Sequence, residues 1–211
     1  MQLRESPGMV YPSYRVFKPK LLGGALCLDF VNTVEWRGAP EPSERLTDYG
    51  ELLIWAEAAE TIDRKARLRL ETAAKRDLDA ATGALAEAIA LRETLANLFK
   101  ADAPRPALVE RLNAWLARAP ERRRLAASGE ILAWAARRDG DEFLAPLWPA
   151  VWSAADLLVS GQAARVRSCG DRRCAWLFLD TSRSRHRRWC SMEGCGNRAK
   201  ARRHYRRHRA A

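Results

Sequence analysis

Four cysteines near the C-terminal end fall into two close pairs, Cys169-x4-Cys174 and, after fifteen intervening residues, Cys190-x4-Cys195. A pair of thiolates on a short turn supplies two corners of a tetrahedron, and a second pair on a linker closes it. The spacing therefore predicts one structural Zn²⁺ held by Cys169, Cys174, Cys190 and Cys195, with no open coordination position. Two disulfides are the alternative for the same residues, but paired thiols in a reducing compartment favour metal. His186, His204 and His208 lie in the same stretch. Any of them could replace a cysteine, although solvated residues of a basic helix is the simpler account.

Charge is concentrated around these cysteines. Residues 160–211 hold 15 Lys+Arg against 3 Asp+Glu, whereas residues 1–159 hold 22 against 23, within a total net charge of +11. Zinc with four thiolates would remove two units and leave the C-terminal segment at about +10. A localised charge of this size points to a polyanionic partner more strongly than a high pI does.

Cys195-Gly196 reads as a tight knuckle turn in which glycine accepts a positive φ. Asn197 then caps a helix running to about Arg209. On that helix Arg198, Arg202, Arg206 and Arg209 share a face at three- and four-residue spacing, flanked by Arg203 and Arg207, with Lys200 in the first turn. Arg183, Arg185, Arg187 and Arg188 form a second cluster ahead of Cys190. Arg183, Arg185, Arg187, Arg188, Arg198, Lys200, Arg202, Arg203 and Arg206 are the expected contacts to nucleic acid, DNA first and RNA second. The bland account is a solvated tail that keeps the chain soluble. Trp189 is expected to pack on the zinc knuckle.

The elements that position this module are mostly helical. Arg165–Cys169 and Trp176–Leu179 read as short strands bracketing the first knuckle. Fewer than ten apolar residues lie between the cysteine pairs, so the metal must supply much of the folding free energy there. Upstream, Thr47 can cap a helix to about Ala59 and Asp63 another. Residues 64–100 fit two helices, with the break near Lys75–Asp77 or near Thr82-Gly83. Asp102 to Pro106 reads as a connector, and Pro106 suits the first turn of a helix to Arg118. Arg122–Ala127 and Ile131–Ala136, around Ser-Gly, read as a β-hairpin. Phe143–Val159 reads as an apolar helix, and Trp36–Arg45 as a loop. The start, with Pro7, Pro12 and Pro19, reads as extended. Tryptophans at helical spacing, Trp55 and Trp115 among them, are expected in the core. The fold class is mainly α with a minor β component (α+β), divided into a helical body at 1–160 and a zinc module at 161–211.

Within the body, Leu26-Cys27-Leu28-Asp29-Phe30-Val31-Asn32-Thr33 is an apolar run that fits either a strand or a buried helix. Asp29, Asn32 and Thr33 are polar groups inside it, so they either brace the fold or line a small ligand pocket. Cys27 reads as inert packing. No phosphate-cradling loop, metalloprotease helix or nucleophile elbow precedes residue 160, and the body holds no histidine. The expectation is therefore not an enzyme. The opening twenty residues carry no apolar h-region. The longest uncharged run, Phe143 to Ala155, is too short and proline-broken to span a bilayer. A cytoplasmic protein without a membrane segment is expected.

The stretch Leu179-Asp180-Thr181-Ser182-Arg183-x-x-His186-Arg187-Arg188-Trp189-Cys190-Ser191-Met192-x-x-Cys195-Gly196-Asn197-Arg198-Ala199-Lys200 resembles the CGNR-type zinc finger, named for Cys195-Gly196-Asn197-Arg198. Such fingers close bacterial proteins whose N-terminal part is the ABATE domain, a family described as stress-induced transcription regulators. Leu26–Thr33 is similar to the opening of that domain. The resemblance implies a zinc-dependent DNA-binding transcription regulator whose body senses a small-molecule effector or pairs as a homodimer. The alternative is an RNA-binding or protein-interaction zinc module on a small-molecule-binding or enzymatic helical domain.

Overall fold

The computed structural model describes residues 13–100, 105–121, 124–128, 131–135 and 142–209. The start with Pro7 and Pro12 and most of the connector from Asp102 lie outside these residues.

The run 26–31 settles as a short helix, α1 (Leu26–Val31), with Cys27, Leu28, Phe30 and Val31 buried. A segment enclosed on nearly every side must satisfy its own backbone, which a helix does and an unpaired strand cannot. Ser153 Oγ accepts from the Cys27 N–H at 3.1 Å at its open N-terminal end. The expected loop after it is closed at its base by a two-residue ladder, β1 (Val34–Glu35) against β2 (Ser43–Glu44).

Helix α2 (Tyr49–Ala58) starts one residue later than Thr47 suggested, because Asp48 rather than Thr47 is the N-cap and accepts from Glu51 N. Asp63 caps α3 (Arg64–Arg76) as expected. The break then falls at Asp77, which ends α3 and, through Oδ1, accepts from Ala80 N at 2.9 Å in the first turn of α4 (Leu78–Lys100). Gly83 continues inside α4, where its missing side chain faces open space. Helix α5 (Pro106–Arg118) begins on its proline. Strands β3 (Arg124–Ser128) and β4 (Ile131–Ala135) form the antiparallel hairpin, Ser128 opposite Ile131.

The expected single helix over 143–159 is two pieces. A 3₁₀ segment, Glu142–Leu147, precedes α6 (Trp148–Val159). Pro146 removes a backbone donor from the first piece, and Pro149 fits only the first turn of the second.

Leu28, Phe30, Leu52, Leu53, Trp55, Leu91, Leu95, Leu144, Leu147 and Val151 form the fully enclosed centre. Helix α1 lies in its middle, against α4 and α6 on one side and the C-terminal segment on another. Cys27 is wholly buried and its thiol is pushed up to about 12 by that burial, so it is inert packing. Trp55, Trp148 and Trp152 are core, and Trp115 packs at its margin against Trp148. After a 3₁₀ turn (Gln162–Arg165), β5 (Val166–Ser168) pairs antiparallel with β6 (Leu177–Leu179). A one-turn π-helical segment (Met192–Gly196) runs into the last helix, α7 (Asn197–Arg209). Among the described residues no helix is long and apolar enough to cross a membrane.

Candidate metal centre and its cationic helix

Strand β6 is buried along its whole length, and its alternation serves two cores. Leu177 and Leu179 join the body core. Trp176, just ahead of the strand, and Phe178 face the other way and pack with Cys169, Cys174, Cys190 and Cys195, edged by Leu22, Trp36 and Trp189. The first knuckle is closed by Cys174 N donating to Asp171 O at 2.9 Å, and Cys169 N donates to Trp176 O at 2.8 Å. The second is closed by Ser191, whose hydroxyl accepts from Gly194 N at 3.2 Å and whose carbonyl accepts from Gly196 N at 3.0 Å.

The second knuckle differs from the sequence expectation. The helical winding starts at Met192 under a Ser191 cap, so Asn197 is already helical at φ −66°, ψ −40°. Gly196 is not at a positive φ. It is needed for close approach instead: a Cβ there would sit 2.8 Å from Met192 Sδ and 3.4 Å from Trp189 Cδ1. Gly170 likewise leaves room for Trp189, whose ring a Cβ would meet at 3.1 Å.

The four Sγ atoms lie within 4.8 Å of one another, with Cys174 to Cys190 at 3.7 Å and Cys190 to Cys195 at 3.6 Å. Tetrahedral Zn–S bonds of about 2.3 Å put sulfurs roughly 3.8 Å apart, so the cluster fits that ion closely. All five cysteines are unbridged. Hydrogen bonds from the other three thiols, Cys174 first, pull Cys169 far below the ordinary thiol value. Contact with Cys169 in turn pushes Cys174 and Cys190 up. Four sulfurs at this spacing cannot all be thiolates without a cation among them, and Zn²⁺ supplies it. The protein holds one structural zinc on Cys169, Cys174, Cys190 and Cys195. His186, His204 and His208 are exposed and outside the cluster.

The arginines divide into two groups. Arg187 turns inward: its guanidinium donates to Trp189 O at 3.0 Å, to Leu22 O at 3.3 Å and to Cys190 O, and lies 4.3 Å above the Phe178 ring. Arg198 also turns inward, donating to Cys195 Sγ at 2.8 Å, stacking 4.6 Å over Trp36 and pairing with the buried carboxylate of Asp171 at 3.5 Å. Both therefore act on the metal site, as outer partners that orient ligands. Arg202 reaches Asp171 at 3.4 Å with about half its side chain exposed. Arg183, Arg185, Arg188, Lys200, Arg203 and Arg206 are exposed. Every residue of α7 from 201 to 208 is exposed, so none of the described residues covers this part of the helix.

Sequence reasoning places Asp171 in the turn that presents Cys174 but misses its carboxylate's pairing with Arg198 and Arg202, and it overlooks Asp180 and Trp36. Asp180 is 1% exposed and accepts from Ser182 N at 3.0 Å and Arg187 N at 3.1 Å, which folds the arginine loop back on the strand. The two aspartates are two of only three acids in a strongly basic segment, and that rarity was the available signal.

Asp29, Asn32 and Thr33 do not converge. Asn32 clamps Leu177 with both amide atoms, donating to its carbonyl at 2.8 Å and accepting from its N–H at 2.9 Å. Asp29 accepts from Gly23 N at 2.7 Å, and Gly23 O accepts from Leu179 N. These two residues brace body to finger and also line a cavity. Thr33 faces away: it donates to Phe30 O and receives Arg92, which is held by Glu44 at 2.7 Å. Three-residue spacing puts Asp29 and Asn32 on one helix face, and Thr33 lies beyond the helix end.

A cysteine cluster of this geometry, seated on a helical body and followed by a basic helix, defines a structural zinc-finger protein. Residues 24–161 match the ABATE family, described as "Putative stress-induced transcription regulator", and residues 165–208 match the CGNR zinc finger. The chain belongs to the ABATE family and carries the CGNR finger at its C-terminal end. No curated protein matches it by sequence.

Proposed function

We propose that this zinc-finger regulator binds DNA, with α7 as the element that meets the duplex. The carrying observation is that α7 is rooted at its N-terminus in the cysteine knuckle yet exposed on every face from 201 to 208. Thirteen residues give about 20 Å of helix, a length that fits a major groove about 12 Å wide. Lys200, Arg203 and Arg206, with Arg183, Arg185 and Arg188 from the preceding loop, would take phosphates. Arg202 is shared with Asp171, while Arg187 and Arg198 hold the scaffold and drop out of the contact set.

The body acts in this proposal as a binding and holding element, not a catalyst. It fixes the finger through Asn32, through Trp176 Nε1 donating to Val34 O at 2.8 Å, and through Gly38 N donating to Arg173 O at 3.1 Å. Homodimerisation enters as the arrangement that a two-fold-symmetric DNA site would require.

The test is fluorescence anisotropy of the zinc-loaded chain on mixed duplex fragments across a salt series. Six exposed cations predict a log K against log salt slope of about −5. Cys190→Ser should bind clearly more weakly. Equal binding by both proteins would reduce the interaction to loose charge attraction, and preference for single-stranded RNA would move the partner class.

A further inference from the structure

A cavity of about 320 Å³ lies where the segment after Ser13, the α1–β1 region, α2 and the finger meet. Its walls include four aromatic rings, Tyr14, Phe17, Trp55 and Trp176, and two carboxylates, Asp29 and Glu35. The Tyr14 wall is fixed from below: the wholly buried Glu51 accepts from Tyr14 N at 2.8 Å and pairs with Ser13 and Arg15. Trp55 is 1% exposed, and its indole N–H has no hydrogen-bond partner among the described residues, which is rare for a buried donor.

We propose that this cavity is a binding site for a small aromatic amine. Four rings offer flat apolar surface and cation-attracting faces. Asp29 and Glu35 offer the negative charge that an ammonium group needs. Lys18, Lys20 and Arg45 also line the cavity. The two lysines are exposed, and Lys20 is near enough to Glu35 to favour its ionised form. The Arg45 guanidinium is stacked 4.4 Å over Tyr14. Asp29 has no such cation among the described residues: Gly23 N donates to it, and burial pushes its pKa up to about 6. Burial raises Glu35 as well, against the opposing pull of Arg45, Lys20 and Arg198. A ligand ammonium would relieve Asp29 first.

The site is built so that the finger feels it. Trp176 belongs to the cavity wall and to the cluster around the zinc cysteines. A neighbouring cavity of about 440 Å³, bordered by Cys174, Cys190 and Cys195, shares Trp176, Lys20 and Glu35 with it. A ligand that fills the first cavity therefore packs on a residue that holds the metal site. This coupling exists whether or not α7 meets nucleic acid.

The test uses the zinc-loaded full chain and 2-phenylethylamine as probe, read by calorimetry and tryptophan quenching. Saturable one-site binding is expected, at least about tenfold tighter than for 2-phenylethanol or 3-phenylpropionate. Affinity should fall as pH drops through about 6, because Asp29 takes up a proton while the amine stays charged. Phe17→Ala, at a ring 59% exposed and so safe for folding, and Asp29→Asn should each weaken binding by about tenfold. Zinc transfer to a chromogenic chelator should slow when the probe is bound. Absence of saturable binding, equal binding of the anion, or no effect of Phe17→Ala would overturn the assignment. Binding of the probe by a chain that ignores DNA would leave this site standing and remove the nucleic-acid role.

Discussion

In the body, Phe30, Trp55 and a set of leucines from α1, α2, α4 and the segment before α6 are wholly enclosed, and apolar burial holds the helices together. From Val166 onward the enclosed hydrophobic side chains are four cysteines, Trp176, Phe178 and the two strand leucines, of which Leu177 and Leu179 already belong to the body core. One region keeps its shape by hiding carbon from water, and the other by wrapping sulfur around an ion. The finger is nevertheless no free appendage. Asn32, Gly23 and Val34 hold its strand and its tryptophan from the body side, so the metal arranges a surface whose root is already in place.

The largest expected effect separates the two kinds of cohesion. Zinc contributes on the order of 10 kcal/mol to a structural finger. Cys190→Ser, or a strong chelator, should take bound zinc from one per chain to none by elemental analysis and abolish the near-ultraviolet signal of Trp176 and Trp189. The far-ultraviolet helical signal of the body should persist. Loss of the body helices as well would break the comparison and make the shared strand an obligatory part of the first core.

Asn32→Ala strikes the joint itself. It strands the N–H and carbonyl of Leu177 in a buried position, at a cost of about 2–4 kcal/mol. Urea unfolding should report that loss, and zinc retention should fall with it because β6 leads from the first knuckle.

A paired substitution sharpens the division among the arginines. Arg198→Gln should lower zinc affinity by about 10- to 100-fold, as loss of an outer partner to a ligand does. Arg203→Gln should leave zinc untouched and reduce the DNA salt slope by about 0.9. Identical behaviour of the two would mean that both face the solvent.

The smallest effect lies at Asp29. Its folded pKa, about 6, is above the ordinary 3.8, so the ionised carboxylate costs stability at neutral pH and the cost is relieved as pH falls from about 6 toward 4. Asp29→Asn, which keeps an acceptor for Gly23 N, should be more stable by on the order of 1–2 kcal/mol at pH 7. That margin should vanish below the unfolded pKa, as thermal melts of the two proteins across this range would show.

Much of this was legible in the chain. Asp63, Pro106 and the apolar spacing of the helices are local signals, and helices are local structures. The cysteine spacing announced the metal because two knuckles need only short turns to build it. Thr47 lost its cap to Asp48, whose own carboxylate reached the free N–H, and Gly196 proved to be a matter of clearance from Trp189 and Met192. Neither distinction is visible until neighbours have coordinates.

The sequence by itself determined the helical body, the zinc ligands and the placement of positive charge, because each depends on residue type and short spacing. Tertiary structure decided which arginines are scaffold and which are surface. Arg187 and Arg198 look like the others in a basic run, yet nearby carbonyls of Trp189 and Cys190, a sulfur, a buried aspartate, the distant Leu22 carbonyl and two aromatic faces converge on them. The same convergence joined Asp29, Tyr14 and Trp176 around one cavity. A charge or a ring declares its chemistry in sequence, but its partner is chosen by the packing of segments that sequence holds more than a hundred residues apart.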